Sequence, residues 1–294
     1  MKILIKKIII LLFLTLFLLN IFRYNDVVTL SSLKALELWR VKLFPSLFIM
    51  FIINDLIINT EIFKFKNNNT LAFSLSLFSG TPTNAYIIKE LYINNKISLN
   101  SANRLLLYTY FSNPLFLYNI LSSMFNKTIV IKLIIIHYIS NFIISLFVKK
   151  EITYNNKNDK INLKITKVLE QSIKKSINTL LMILGTVTFF MIISNLIVKL
   201  FSLNTYLEIL IKGVLEITQS LNELAAISLN LKLKQLLALI IISFGGISIH
   251  MQVYSILSET KINYKSFLKG RIYQTLISIL LLLVTFIIEY TIKA

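Results

Sequence analysis

Apolar runs separated by Lys- and Asn-rich loops fill nearly the whole sequence, and this alternation restricts the chain to a membrane fold. Of its 294 residues, 56% are hydrophobic and 15% charged, with a mean hydropathy of +0.75. A soluble domain carries roughly 45–50% apolar and about 25% charged residues. The excess cannot be buried in one water-soluble core, which excludes a soluble enzyme, a disordered chain and a collagen-like repeat. An all-α, polytopic membrane protein remains. The sequence holds no Cys and only two His, His137 and His250, which excludes disulfides, thiolate chemistry and Cys/His metal clusters. No cofactor and no metal site is expected. The net charge of +18 resembles that of a nucleic-acid binder, but in a membrane protein it reflects Lys-rich cytoplasmic loops. The expected partner is the lipid bilayer, not nucleic acid.

The first run, Met1 to Phe22, follows Lys2, Lys6 and Lys7 as a signal peptide would, but no small-residue cleavage site succeeds it. It reads as an uncleaved helix with a cytoplasmic N-terminus. Residues 27–40 read as an amphipathic, interfacial stretch around Trp39, and 41–59 as a second span. Two segments are then interrupted: 70–97 at Ser79-Gly80-Thr81-Pro82-Thr83-Asn84, and 101–124 at Ser112-Asn113-Pro114. The arm Thr70 to Ser79 gives roughly 15 Å of helix, about half of a ~30 Å hydrocarbon core. A clean span at 127–148 precedes a lysine-rich loop over 149–176. The series repeats with a span at 177–201, an interruption of 203–231 near Glu216 to Glu223, a break of 235–258 at Gly245-Gly246, a basic loop ending at Arg271, and a last span to Ile292.

Charge decides how the interrupted segments sit. If 70–97 crosses the membrane, the eight lysines of 149–176 fall outside. If 70–97 and 203–231 both enter and return, 149–176 and 259–271 lie inside. Nineteen of the 31 basic residues are then cytoplasmic and eleven external, with Lys89 inside a hairpin. The sequence thus predicts a multi-pass cell-membrane protein with about seven transmembrane helices and two re-entrant hairpins.

Ile52-Ile53-Asn54-Asp55-Leu56-Ile57 parallels Ile192-Ile193-Ser194-Asn195-Leu196-Ile197, and the 32 residues from Gly80 to Ser112 match the 32 from Gly213 to Gly245. Each half reads as span, hairpin and broken helix, entered from opposite sides. That is an inverted repeat, the architecture of secondary transporters. The expected division is 1–25 for the first helix, 26–148 and 177–294 for the two repeats, and 149–176 for the cytoplasmic loop.

Broken helices leave backbone groups unpaired, which lipid does not tolerate, so matching breaks point to a central polar cavity. The alternative is that Pro and Gly merely kink packed helices. Thr81-Pro82 and Asn113-Pro114 each read as N-cap and first helical residue, with positive helix ends facing the centre. Such ends attract anionic or hydrogen-bond-accepting groups. Glu216 reads either as the central acid or as an i, i+4 partner of Lys212. Ser220 and Glu223 have the spacing of a capping box. Asp55 is expected to snorkel to the interface, and His137 to be a packing residue. His250 stands open between site and packing. The candidate solute-binding residues are Ser79, Gly80, Thr81, Thr83, Asn84, Ser112, Asn113, Glu216, Thr218, Gly245, Gly246, Ser248 and His250.

Five ordered motifs carry a family resemblance: Leu43-Phe44-Pro45-Ser46-Leu47, Ser79 to Ala85, Phe111-Ser112-Asn113-Pro114-Leu115-Phe116, Leu215-Glu216-Ile217-Thr218, and Phe244 to Val253. Over about residues 30–280 the chain resembles the YlbJ family of sporulation integral membrane proteins, in the nucleoside-recognition (Gate) domain group. The resemblance implies Gate-like repeats, a role in endospore formation and, through a distant likeness to concentrative nucleoside transporters, a transport-like core. Asn84 and Ser220 depart from it, standing where the family pattern usually has Gly. The function expected is a sporulation-associated, non-enzymatic permease for a small polar solute, nucleoside-like only by analogy of fold. The alternative is a non-transporting scaffold for spore envelope assembly. Further partners would be other copies of the chain or sporulation membrane proteins. The short loops offer little docking surface, which favours transport.

Overall fold

The computed structural model describes residues 2–60, 67–149 and 165–293, and every regular element among them is helical. Helices α1 (Lys2–Arg23) and α2 (Asn25–Leu38) meet at a bend of 90°. A π-helical turn, Trp39–Leu43, leads into α3 (Phe44–Thr60). Next come the short pairs α4 (Asn68–Ser79) with α5 (Thr83–Ile93) and α6 (Leu99–Tyr108) with α7 (Pro114–Ser122), then α8 (Lys127–Phe147). From α9 (Ile165–Phe201) the order recurs: α10 (Thr205–Leu215) with α11 (Ile217–Ala226), α12 (Leu231–Phe244) with α13 (Gly246–Leu257), and α14 (Tyr264–Lys293).

Four stretches among the described residues are long and apolar enough to cross a bilayer: Lys127–Phe147, Ile165–Phe201, Leu231–Leu257 and Tyr264–Ile292. Counting the bent α1–α2 pair as one span makes five, short of the seven expected. The difference arises in α3, whose apolar part is only Leu47–Thr60, and in α6–α7, which residues 109–113 keep from forming one rod. The stretch 165–176, expected to be loop, is helix, so α9 runs for 37 residues. At 1.5 Å per residue it is about 55 Å long and outruns the hydrocarbon core. The second hairpin breaks at Glu216 alone, since α11 already covers residues 217–223.

Two hydrophobic cores form. One joins α2, α3, α5, α6, α9 and α13 through residues such as Phe51, Ile87, Leu105, Leu180 and Val253. The other joins α7, α8, α10, α11, α12 and α14 through Leu117, Leu133, Ile209, Leu221, Leu239 and Leu282. Small residues allow the close crossings that lipid-embedded helices depend on. A β-carbon at Gly270 would collide with the Leu107 carbonyl, so α14 lies directly on α6. Outward positions of α8, including Ile131, Ile135, Ile139 and Phe142, remain exposed and apolar.

Candidate functional site

The breaks meet at the seam between the two cores. Gly80, at φ +76°, lets the first hairpin tip press on the α6–α7 break, where an added β-carbon would stand 2.6 Å from Asn113 N. Polar side chains stitch the two together. Thr81 Oγ1 donates to the Phe111 carbonyl at 3.3 Å, Asn84 Nδ2 to Thr109 O at 3.1 Å and Asn113 Nδ2 to Phe78 O at 3.4 Å. Gly246, at φ +65°, packs likewise on Ile217 of the second tip. The two halves touch through Tyr110, whose hydroxyl donates to Ile242 O at 3.4 Å beside Gly245.

Between these tips lies a cavity of about 460 Å³. Thr81, Ser112, Asn113, Glu216 and Thr218, all singled out from the sequence, line it. Gln252 and Asn119 also line it; neither was among the candidate residues. Gln252 was within reach of sequence reasoning, because it follows Ser248 by four on one face of α13. Apolar wall comes from both cores, with Leu47, Ile183 and Val187 facing Ile120 and Ile217.

The helix starts differ from expectation in one case. Asn113 caps α7 as its sequence suggests, accepting from Leu115 N at 3.0 Å and Phe116 N at 3.2 Å with Pro114 following. At the first tip, α5 starts at Thr83, and Pro82 occupies the cap position without a side-chain bond. Thr81 turns instead to Phe111.

Glu216 links α10 to α11. It is 3% exposed, and its carboxylate accepts from Gln219 N at 2.9 Å and bonds to Thr218. Lys212 pairs with Glu208 and Glu223, both at 2.5 Å, so the expected alternative of a Lys212–Glu216 pair is replaced. The capping box is replaced too: Ser220 Oγ donates to Ile209 O at 2.8 Å, and Glu223 serves Lys212.

The remaining candidates stand off the cavity wall. Ser79 accepts from Asn54 Nδ2 at 2.8 Å; Thr83 and Asn84 are fully buried; Gly245 lies against Tyr110. Ser248 supports Gln252, whose Nε2 donates to it at 3.3 Å. His250 is held by Tyr264 Oη at 2.6 Å and the Phe244 carbonyl at 3.0 Å. The carbonyl requires a proton on Nε2, and the two bonds tie the ring within the fold. His137 is a packing residue as expected: Nε2 accepts from Ser112 N at 3.2 Å, and its carbonyl accepts from Gln274 at 3.0 Å.

Two charged residues lie elsewhere than the sequence suggested. Asp55 does not snorkel. It is 1% exposed, accepting from Tyr86 Oη at 2.9 Å and Ser172 Oγ at 2.5 Å, with Lys175 Nζ at 3.5 Å. Lys175 also pairs with Glu90 at 2.8 Å. Arg271, expected in a basic loop, is fully buried on α14. Its guanidinium lies 3.8 Å from the Tyr110 ring centroid and bonds Gln274.

The chain is similar to the sporulation integral membrane protein YlbJ of Bacillus subtilis (strain 168). Identity is 27% over 301 aligned residues, covering 83% of this chain and 74% of that protein. The match supports a YlbJ-like family assignment. No family model matches the chain, and no solved structure matches it. The YlbJ-like assignment agrees with the apolar, span-length helices of the fold.

Proposed function

We propose that this YlbJ-like chain is a multi-pass membrane permease for a small polar solute that acts in spore formation. The observation that carries the reading is the cavity at the seam, where both hairpin tips and both broken helices contribute wall. Irregular backbone at membrane depth persists where it lines a cavity or is buried in protein. Substrate would sit among Thr81, Ser112, Asn113, Glu216 and Thr218.

Register supports an inverted repeat as the basis of alternating access. Tyr86 and Glu90 of α5 correspond to Gln219 and Glu223 of α11 at one offset of 133 residues (219 − 86 and 223 − 90). Asp55 corresponds to Asn195 at an offset of 140 (195 − 55). The contacts follow the same correspondence: Tyr86 bonds Asp55, and Gln219 Nε2 bonds Asn195 Oδ1 at 2.7 Å. Glu90 and Glu223 each pair with a lysine.

A thermal-shift screen of small solutes on the purified, detergent-solubilised chain tests the reading, because a ligand that binds only the folded state must stabilise it. A stabilising solute should lose its effect in Asn113→Ala. A screen in which no solute stabilises, together with normal sporulation of a strain carrying Asn113→Ala and Glu216→Gln, would overturn it.

A further inference from the structure

The two halves hold corresponding side chains, but one contact is made in the first half and not in the second. This step rests on the permease reading and its inverted repeat. Ser31 and Lys34 of α2 correspond to Ser172 and Lys175 of α9 at an offset of 141 residues (172 − 31 and 175 − 34). Trp39 corresponds to Leu180 at the same offset (180 − 39), and the two touch: the indole Nε1 donates to the Leu180 carbonyl at 2.9 Å. A residue that meets its own counterpart lies close to the axis relating the halves. Beyond it the offset falls to 140 at Asp55 and Asn195, so the first half carries one extra residue there. The π turn at Trp39–Leu43 absorbs it, because a π turn bonds over five residues where an α turn bonds over four. In the equivalent stretch α9 runs on as unbroken α-helix.

Contacts follow this register on both sides. Ser172 Oγ donates to Asp55 at 2.5 Å, and Asn195 Nδ2 to Ser31 Oγ at 2.8 Å. Lys175 then pairs with Glu90 at 2.8 Å. Its counterpart Lys34 is exposed, and among the described residues no ion pair reaches it. Glu223, the counterpart of Glu90, uses one oxygen only. Its Oε1 takes Lys212 and the Gln219 amide, while Oε2 is buried without a partner among the described residues. Lys34 and Glu223 line one cavity of about 350 Å³, with Glu37, Gln219 and Asn222 around them. That cavity shares Val41, Lys42 and Thr218 with the larger one at the seam, so the two adjoin.

We infer that Lys34 and Glu223 form the latch that closes this second cavity, in exchange for the Lys175–Glu90 pair at the other end. In the conformation seen here the Lys175 end is latched, and the solute cavity opens through the Lys34 end. Swapping the two arrangements between the halves gives the opposite state. Each latch is partly exposed, with the Lys175 side chain at 42% and that of Glu223 at 29%, so neither pair holds its state by much. A bound solute can then shift the balance. If 149–176 is cytoplasmic, the cavity opens here to the external face.

Cross-linking tests this on the purified full-length chain, which has no native cysteine. Glu37→Cys and Asn222→Cys place thiols at exposed positions lining the second cavity and leave Lys34 and Glu223 in place. A short bis-maleimide, o-phenylenedimaleimide, joins them when α2 and α11 close. Lys34→Met should slow the joining about fivefold, the size of coupling between linked sites, and Lys34→Arg should not. Glu90→Gln weakens the latch at the far end and should speed the joining by a similar factor. Melting curves identify the folded variants. Lys34→Met alters an exposed side chain without an ion pair, so it decides alone should Glu90→Gln fail to fold. No slowing by Lys34→Met, equal slowing by Lys34→Arg, no gain in a folded Glu90→Gln chain, or no joining in any variant overturns the exchange. None of these outcomes involves a solute, so the permease reading is judged separately by its own screen.

Discussion

The Tyr86 hydroxyl donates to Asp55 Oδ1 at 2.9 Å and so fixes the second arm of the first hairpin against α3. Ser172 and Lys175 reach the same carboxylate from α9, and Glu90 shares the lysine. Arg40 and Lys42 lie near the opposite end of α3, and α4 brings no titratable group. Two buried carboxylates therefore depend on one lysine. Lys175→Met should destabilise the chain more than Asp55→Asn, which leaves one lysine for one carboxylate. The Lys175→Met cost should fall below the ~3–5 kcal/mol of breaking a fully buried pair, because that lysine is 42% exposed. Combining the two changes should cost less than their sum, as expected for groups in one network. Unfolding midpoints of the three variants check the order; equal or additive losses would count against a shared network.

Gly245 turns α12 into α13 at φ +92°, and a β-carbon there would lie 2.5 Å from Tyr110 Oη. Gly245→Ala should thus incur backbone strain of roughly 1–3 kcal/mol together with a steric clash. Tyr110→Phe removes only the hydroxyl. Introduced with Gly245→Ala, it should restore the steric part of the lost stability and leave the strain. Full restoration, read from melting temperatures, would mean that the left-handed turn costs nothing.

The breaks of the first half were legible because Gly and Pro are rare here, and Gly80, Pro82 and Pro114 each stand beside Ser, Thr or Asn. Asn113-Pro114 shows the local logic at its plainest, since cap and first helical residue act through their own neighbours. Asp55, Arg271 and His250 were not legible for the opposite reason. Asp55 is partnered from 117 residues away, and Arg271 is buried by the Tyr110 ring in the break between α6 and α7. His250 carries a polar side chain on a face that could equally meet a solute, and only Tyr264 and Phe244 decide otherwise. Glu216 illustrates the limit of helical spacing. Lys212 lies at i−4, but the helix ends between them, so the lysine turns to Glu208 and Glu223.

Topology gives a further expectation. If the lysine distribution sets the orientation, 149–176 and 259–271 lie in the cytoplasm, which requires both hairpins to enter and return. Reporter fusions at Asn156 and Asn263 should both give a cytoplasmic signal. An external signal at Asn156 would mean that α4 and α5 together cross the bilayer, and opposed entry of the two halves would be lost.

The separate partners of Lys212 and Glu216 make their contributions to stability independent. Lys212 is 4% exposed in its side chain and holds two carboxylates, each more than a quarter exposed. Lys212→Met removes the cation but leaves both acids able to turn to water. The loss should be about 1–3 kcal/mol, below that of a fully enclosed pair. Glu216→Gln keeps an oxygen for the Gln219 N–H, and substitution among capping residues of similar reach changes little. Its melting temperature should stay near that of the unmodified chain. The double variant should show roughly the sum of the two effects, because neither side chain bonds the other and only Gln219, through its N–H to Glu216 and its amide to Glu223, joins them. If Glu216→Gln instead destabilises the chain and Lys212→Met relieves that loss, the two residues pair directly in the folded protein. Glu216 would then have its cation within the chain.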